Sequence, residues 1–433
     1  MTFYNRNKDA QSSINQPLME SEAYIISGPF TQLLSMDKLP LRGALCDEQL
    51  EIIPNAGIAH RDDKIVEVGN FDFLKQKYPS AIIDAYTDDN ICLPGMIDAH
   101  THICWVGSRA KDYAMRLSGK TYMEIAEAGG GIWDTVTKTR EASFDELVAS
   151  TVKRAETLYK QGVTTIEVKS GYGLTVEHEL KILEAIALAN TKTRSELIPT
   201  CLAAHILPKD FKGNENEHLE LISRELLPEI KRRKLANRVD IFVEKTAFSI
   251  NAAKSYLTAA HENGFDIVLH GDQFSTGAAA LATELNALSI DHLEAANDSE
   301  IALLAASNVI PVVLPGASLG LGEPFAPARK LLDAGTSLVI ASDWNPGSAP
   351  MGDLLTSAAI LGAMQKLTMA EVWAALTCRA AAALNKTDRG ILKAGMNADF
   401  IVFKTNDYRE ILYNQGQLKP TMHLRSNNVP FTI

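Results

Sequence analysis

The stretch LPGMIDAHTHIC at residues 93–104 places two histidines one residue apart, directly after an apolar run. Side chains at positions i and i+2 of a β-strand point to the same face, so His100 and His102 can converge on one point. Two converging imidazoles suit a metal ion, most often Zn²⁺ or Fe²⁺. An isolated His-x-His pair is more often two surface histidines beside a turn. The metal interpretation therefore depends on further ligands elsewhere in the chain.

The middle of the chain alternates apolar strands with helical stretches. A first strand is predicted at 91–98, and seven more begin near residues 164, 196, 238, 265, 287, 309 and 336. One helix begins after Ser143, which forms a capping box with Glu146, and ends at Gly162. Eight strand–helix units predict an α/β fold of the (β/α)8 TIM-like barrel type. A doubly wound sheet is the alternative, but no Gly-x-Gly-x-x-Gly motif follows the first strand.

Strand-rich segments lie at both ends of the chain. GIAHRDDKIVEVG at 57–69 reads as a hairpin, and ILKAGMNADFIVF at 391–403 reads as a similar strand pair. We predict a flexible N-terminal tail at 1–20 and a barrel at 91–385. A small β-sandwich-like domain is predicted from the two termini, at 21–90 and 386–433.

Composition and charge restrict the possible partners. The 433 residues are 46% hydrophobic and 22% charged, with a formal net charge of −11, which argues against nucleic-acid and anionic-membrane partners. The five cysteines are scattered without a Cys-x-x-Cys pair, and the polar N-terminus lacks the apolar core of a signal peptide. No apolar run of about 18 residues predicts a membrane span. We expect a cytoplasmic protein that acts on a small molecule.

Polar residues recur where the predicted barrel strands end, which is the face on which such barrels carry their chemistry. After His100 and His102 come Tyr172, His205, His270 with Gln273, His292, and Asp343 with Asn345 and Ser348. The pattern predicts a mononuclear metal centre held by His100, His102, His270 and Asp343.

Such an ion lowers the pKa of its water to about 7. Asp343 is placed to accept the proton of that water and to pass it to a leaving nitrogen. His292 is placed to polarise a substrate carbonyl and to stabilise the developing oxyanion. A second metal would need a bridging group, for which Lys245 and Glu244 are the candidates, so we favour a single ion.

Several long motifs are similar to those of a known family. The matching stretches, between about residues 50 and 405, are PGMIDAHTH, HTHICWVGSRAKDY, LSGKTYMEIAEAGGGI, TTIEVKSGYGL, AAHILP, HGDQ, LPGAS and ASDWNPGS. The chain resembles the amidohydrolase superfamily and, within it, the imidazolonepropionase family. GKTYMEIAEAGGGI and EVKSGYGL are the most specific of these stretches.

The resemblance implies hydrolysis of the ring amide of 4-imidazolone-5-propanoate to N-formimidoyl-L-glutamate. It implies one zinc or iron ion per subunit on the four ligands, and a homodimer. Arg109 would face the propionate, to which a guanidinium fork is suited, and Tyr122 would also reach it. The remaining substrate contacts would come from Tyr172, His205, Gln273, Asn345, Gly347 and Ser348.

The chain departs from the family pattern at three places. Gln273 stands where some members carry glutamate, and an amide cannot act as a base. LPGASLGL lacks the aromatic residues expected after LPGA, and Trp344 is bulkier than expected. A deaminase or another cyclic amide or amidine hydrolase is the nearest alternative, although Gln273 replaces the proton-shuttling glutamate of deaminases. A non-catalytic barrel is a further alternative, which the complete ligand set disfavours.

Overall fold

The structure is a computed structural model that describes residues 24–424. Its strands are β1 Ile25–Leu34, β2 Ile52–Arg61, β3 Lys64–Asn70, β4 Ile82–Ala85, β5 Ile91–Pro94, β6 Met96–Asp98, β7 Val163–Lys169, β8 Glu196–Ala204, β9 Arg238–Val243, β10 Asp266–Gly271, β11 Ser289–His292, β12 Ile310–Val313, β13 Val339–Ile340, β14 Phe400–Phe403 and β15 Met422–Leu424. Its α-helices are α1 Phe71–Lys77, α2 Ala110–Leu117, α3 Tyr122–Glu127, α4 Ile132–Glu141, α5 Phe144–Lys160, α6 Val176–Asn190, α7 Glu215–Leu221, α8 Leu227–Arg233, α9 Ile250–Glu262, α10 Ala278–Glu284, α11 Asp298–Ala305, α12 Pro315–Leu321, α13 Ala328–Asp333, α14 Leu354–Gln365, α15 Met369–Leu376, α16 Cys378–Ala383 and α17 Arg409–Tyr413.

The predicted barrel is confirmed. Strands β6 to β13 form one eight-stranded sheet in chain order, and every neighbouring pair is parallel. The first and last strands are joined just beyond their ends, where Asp343 N–H donates to His100 O and His102 N–H donates to Trp344 O, both at 3.0 Å. Strands such as β7 are buried along their whole length, as expected of a parallel sheet covered by helices.

The helix after the first barrel strands shows how the sequence sets these elements. Ser143 caps α5 by accepting from Glu146 N–H at 3.2 Å, and Glu146 accepts from Ser143 N–H at 2.9 Å. Leu147 and Leu158 lie on its buried face. Gly162, with a φ of 98°, ends the helix and leads into β7.

A second sheet unites strands from both ends of the described chain. Its seven strands are β1 to β5 with β14 and β15, and β14 pairs antiparallel with β5. The hairpin predicted at 57–69 is formed by β2 and β3, and its turn residues Asp62 and Asp63 have positive φ angles of 49° and 62°. Phe30 and Phe400 pack in the core of this sheet with ring centroids 6.0 Å apart.

The segment predicted as one strand at 91–98 is two strands in two different sheets. β5 pairs with β1 and β14, whereas β6 begins the barrel. Gly95 separates them in a tight space, since a Cβ there would lie 2.2 Å from Thr164 Oγ1. The sequence does not reveal this change of sheet, because residues 91–97 form one apolar run whose pattern is the same in both strands. The predicted tail at 1–20 lies outside the described residues, as do 21–23 and 425–433 of the predicted small domain.

Two findings bear on the environment of the chain. The five cysteines are free thiols, and Cys46 is the exposed one among them. Between residues 24 and 424, no helix combines the length and the apolar character needed to cross a bilayer.

Candidate active site

The four predicted metal ligands lie together at the C-terminal end of the barrel strands. His102 Nε2 is 3.2 Å from His100 Nε2, 3.4 Å from His270 Nε2 and 3.5 Å from Asp343 Oδ1. His100 Nε2 is 3.4 Å from the same Asp343 oxygen. Two ligands of a tetrahedral ion bound at about 2.1 Å lie about 3.4 Å apart, so the four spacings around His100 and His102 fit a shared zinc-sized ion. The ligand atoms of His100, His102 and His270 all lie within 4.8 Å of one another.

The electrostatics of these side chains also suit a metal. His100, His102 and His270 are buried, and burial lowers the pKa of all three imidazoles below their ordinary value. They are therefore neutral, as histidine ligands of a metal must be. Burial raises the pKa of Asp343 to about 7. Asp343 also has a positive φ of 53°, a conformation that non-glycine residues rarely adopt and that is concentrated at functional sites.

Two buried carboxylates contact the Nδ1 atoms of His100 and His270. Asp291, on β11, lies with Oδ2 2.6 Å from His100 Nδ1. Asp240, on β9, lies with Oδ2 3.0 Å from His270 Nδ1. The hydrogen bond to Asp291 fixes the tautomer of His100 and directs its Nε2 toward the ligand position, and Asp240 places a negative charge beside His270 Nδ1.

Lys169 links these two carboxylates. Its Nζ lies 2.8 Å from Asp240, 3.3 Å from Asp291 and 2.9 Å from Glu167 Oε1. All four side chains are at most 1% exposed. Lys169, Asp240 and Asp291 come from the second, fourth and sixth barrel strands, and alternate strands share one interior layer in such barrels. We call Lys169, Glu167, Asp240 and Asp291 the ionic layer. The sequence analysis did not predict it, although charged residues inside otherwise apolar strands indicate such a layer.

His292 ends β11 beside the ligand cluster. Its ring centroid is 5.4 Å from that of His270, and its φ of 92° is again unusual for a side-chain-bearing residue. Burial opposes protonation of the imidazole, but the carboxylates of Glu294 and Asp343 outweigh burial and raise the pKa of His292. His292 Nδ1 lies 3.4 Å from the Glu294 carboxylate. His292 is therefore a candidate hydrogen-bond donor next to the metal position.

The loop after β13 supports Asp343 through a compact hydrogen-bond network. Asn345 Nδ2 donates to Asp343 O at 2.7 Å and to Ser348 Oγ at 2.8 Å. Asn345 Oδ1 accepts from Gly347 N–H at 2.7 Å, and Ser348 Oγ donates to Asp343 Oδ2 at 3.3 Å. Asn345, Gly347 and Ser348 all line the cavity above the ligands.

That cavity has a volume of about 600 Å³ and is lined by the predicted substrate-contacting residues. Arg109 reaches it from the segment before α2, and its Nε is 2.6 Å from Asp112. The ion pair holds the guanidinium in place, and Gly347 provides room for it, since a Cβ at Gly347 would lie 2.8 Å from Arg109 Nη1. Arg116 lines the same cavity and donates to Gly320 O at 2.6 Å.

Tyr172 and His205 form the wall beside His102. The rings of His102 and His205 are stacked with centroids 5.4 Å apart, and the Tyr172 ring lies 5.7 Å from His205. His205 Nδ1 contacts Gly171 O at 3.0 Å, which leaves Nε2 available to a ligand. Burial lowers the pKa of His205 to about 4 and raises that of Tyr172. Both side chains are therefore neutral hydrogen-bonding groups at neutral pH.

Gln273, after β10, also lines the cavity. The Glu244 carboxylate accepts hydrogen bonds from the loop after β10, where Phe274 N–H, Ser275 N–H and Ser275 Oγ donate to it at 2.7–3.0 Å.

Within the described residues, the one group of three metal-ligating side chains is His100, His102 and His270. The side chain of Tyr122 lies outside what the structure describes.

Comparisons with known proteins identify the family of the chain. Residues 125–415 match the family model described as "Amidohydrolase family". The chain is 37% identical over 407 residues to the imidazolonepropionase of Bacillus cytotoxicus, covering 93% of this chain and 95% of that protein. It is 40% identical over 372 residues to the imidazolonepropionase of Fusobacterium nucleatum, covering 85% and 90%. The structure resembles that of an adenosine deaminase from Xanthomonas campestris with bound zinc, with a TM-score of 0.67, 17% identity and 94% and 92% coverage.

Proposed function

Because the chain belongs to the imidazolonepropionase family of amidohydrolases, we propose that it hydrolyses the ring amide of 4-imidazolone-5-propanoate to N-formimidoyl-L-glutamate, a step of histidine degradation. The observation that carries the proposal is the juxtaposition of two features. His102 Nε2 lies 3.2–3.5 Å from a ligand atom of His100, His270 and Asp343 at the floor of a cavity, and Arg109 lines the same cavity. A cyclic amide with a carboxylate tail needs both of these features.

The residues present fit one zinc or iron ion per subunit. Three neutral imidazoles and a carboxylate accept either metal, and the Nδ1 contacts of His100 and His270 hold their rings for it. When bound, the ion lowers the pKa of water and polarises the ring carbonyl. Elemental analysis of the protein purified without added metal identifies the native metal.

Proton transfer is assigned to Asp343. Its carboxylate takes a proton from the attacking water and delivers it to the ring nitrogen as the C–N bond breaks. Burial raises the pKa of Asp343 to about 7, close to the value that suits a group that both accepts and donates near neutral pH. Ser348 and Asn345 keep the carboxylate in place during these transfers.

Charge and shape recognition are assigned to the surrounding wall. His292 donates a hydrogen bond to the carbonyl oxygen as negative charge develops on it. Arg109 binds the propionate through charge-assisted hydrogen bonds. Tyr172 and His205 hold the imidazolone ring, and Gln273 orients substrate without exchanging a proton. Because the Gln273 amide cannot act as an acid or a base near neutral pH, it also argues against a deaminase mechanism.

Turnover is the direct test of this proposal. Freshly generated 4-imidazolone-5-propanoate is incubated with metal-loaded protein and with a chelator-stripped sample, and its ultraviolet absorbance is followed together with formation of N-formimidoyl-L-glutamate. We expect turnover in the loaded sample alone. A metal-loaded protein that leaves this substrate intact refutes the proposal.

The protein is also proposed to act in the cytoplasm as a homodimer. Family membership supports the dimer, and the free thiols are consistent with a reducing compartment. Light scattering during size-exclusion chromatography gives the mass in solution, and a monomer mass of 47.2 kDa would contradict the dimer.

A further inference from the structure

A second, smaller cavity adjoins the main one. Its volume is about 240 Å³, several times the share of about 30 Å³ that one water occupies in the liquid. It shares Gln273, Phe274, Leu321 and Glu323 with the main cavity, so the two lie side by side. We call it the side cavity and define it by Gln273, Phe274, Glu294, Ser318, Leu321 and Glu323.

The inner wall of the side cavity carries buried polar atoms that lack a partner. Ser318 is 2% exposed and the Glu294 side chain is 7% exposed. Within residues 24–424, neither Ser318 Oγ nor Glu294 Oε2 has a hydrogen-bond partner, although both Glu294 oxygens lie 3.4 Å from His292 Nδ1. Buried polar atoms are costly when unpaired, so a ligand group that donates hydrogen bonds here is favoured.

The charge of the side cavity specifies the kind of donor. Glu294 and Glu323 contribute carboxylates that only accept hydrogen bonds, and none of the described lining residues is basic. Phe274 and Leu321 add apolar surface to the lining. A small planar cation with several N–H donors therefore matches this lining better than a neutral or anionic group.

The proposed reaction creates such a cation. Water adds across the ring amide, so that the carbonyl carbon gains the oxygen and becomes a carboxylate, and the leaving nitrogen gains the proton. That nitrogen becomes the free end of a formamidine, which is a strong base and is protonated at neutral pH. In the intact ring the same atoms are uncharged.

We infer that the side cavity receives the amidinium end of the ring-opened product, with Glu294 and Ser318 as its acceptors. The inference rests on the proposed function, and it makes the side cavity a subsite that discriminates product from substrate. Interactions that arise only as the ring opens favour bond cleavage rather than substrate binding. We therefore expect the product, N-formimidoyl-L-glutamate, to inhibit the protein more strongly than the isosteric amide N-formyl-L-glutamate.

The test compares two pairs of probes on metal-loaded protein. N-formimidoyl-L-glutamate is compared with N-formyl-L-glutamate as an inhibitor, and formamidinium is compared with formamide by calorimetry. We expect the amidinium member of the larger pair to bind about 10- to 100-fold more tightly, the effect of a buried charge-assisted hydrogen bond. Glu294→Gln removes the charge and Ser318→Leu fills the space, and each should reduce this preference to a few-fold.

Glu300→Gln is the matched control. Glu300 is a buried carboxylate six residues from Glu294 that caps α11 and does not line the side cavity, so the preference should persist in this variant. Circular dichroism and metal content verify that each variant is folded and loaded. Equal affinity of wild type for both members of each pair, or a preference unchanged in both Glu294→Gln and Ser318→Leu, overturns the inference. Formamidinium binding that depends on Glu294, in a protein that leaves the imidazolone intact, instead refutes the proposed function and retains the subsite.

Discussion

Replacing Lys169 with methionine probes the ionic layer beneath the ligands. Methionine keeps most of the length of the side chain and removes its charge, leaving Glu167, Asp240 and Asp291 buried without their cation. Two of the three contacts are 2.8–2.9 Å long. At an effective dielectric constant of about 20, each such contact is an attraction of about 6 kcal/mol.

Most of that attraction offsets the cost of desolvating the lysine, so the net loss is smaller. Breaking a buried ion pair by removing one partner typically costs about 3–5 kcal/mol, and we expect the free energy of unfolding of Lys169→Met to fall by that amount. Because Asp240 and Asp291 contact His270 and His100, we also expect metal affinity to fall about 10- to 100-fold, as for other changes behind metal ligands.

Denaturant titration of chelated protein measures the first effect, and competition with a chromophoric chelator measures the second. Arg238→Met is the control. Arg238 is a buried cation at the N-terminal end of β9, whereas Lys169 lies at the C-terminal end of β7, and Arg238 donates to Thr200 Oγ1 and Ala383 O. It should destabilise the fold and leave metal affinity unchanged. Wild-type metal affinity in a folded Lys169→Met protein would refute the positioning role of the ionic layer.

Four further outcomes are expected. Asp343→Asn should lower kcat by about 10²-fold or more with an unchanged circular dichroism spectrum, because an amide cannot carry the proton; steady-state rates near those of wild type would contradict this. Arg109→Ala should raise KM about 10- to 100-fold and affect kcat less, and an unchanged KM would remove the propionate assignment. Chelation should abolish activity and zinc or iron should restore it, whereas full activity of metal-free protein would exclude the metal centre. His218 is buried, and burial lowers its pKa from 6.5 to about 4, so the unfolded state takes up the proton first and stability is lost as the pH falls from 6.5 to 4. Denaturant titration at pH 7 and 4.5 should show that His218→Leu loses about 2–3 kcal/mol less than wild type over this interval, and equal losses would contradict the prediction.

Much of the barrel and the ligand set could be predicted from the chain alone. Buried parallel strands leave apolar runs of regular spacing, and the strand ends are the positions where His100, His102, His270 and Asp343 appear. Parallel strands present their C-terminal ends at one edge, so residues far apart in sequence were expected together. The family resemblance in the long motifs was confirmed by the comparisons with known proteins.

Other features depend on contacts that no local pattern contains. The change of sheet at Gly95 depends on strand pairing with β1 and β14, whereas local alternation looks the same on both sides of it. The ionic layer depends on barrel closure and register, which decide that Lys169, Asp240 and Asp291 from alternate strands share one level. The side cavity depends on how the loops after β10, β11 and β12 pack together.

The sequence by itself therefore determined the alternation of strands and helices in the barrel, the C-terminal ends of the barrel strands and the four candidate ligands, because each follows from the periodicity and residue chemistry of a short segment. Tertiary structure decided which buried charges meet, which histidine nitrogen faces the ligand position and where space remains beside it. Those features arise from side chains brought within about 3 Å across strands far apart in the chain. Their distances are fixed by register and packing, which only the folded barrel defines.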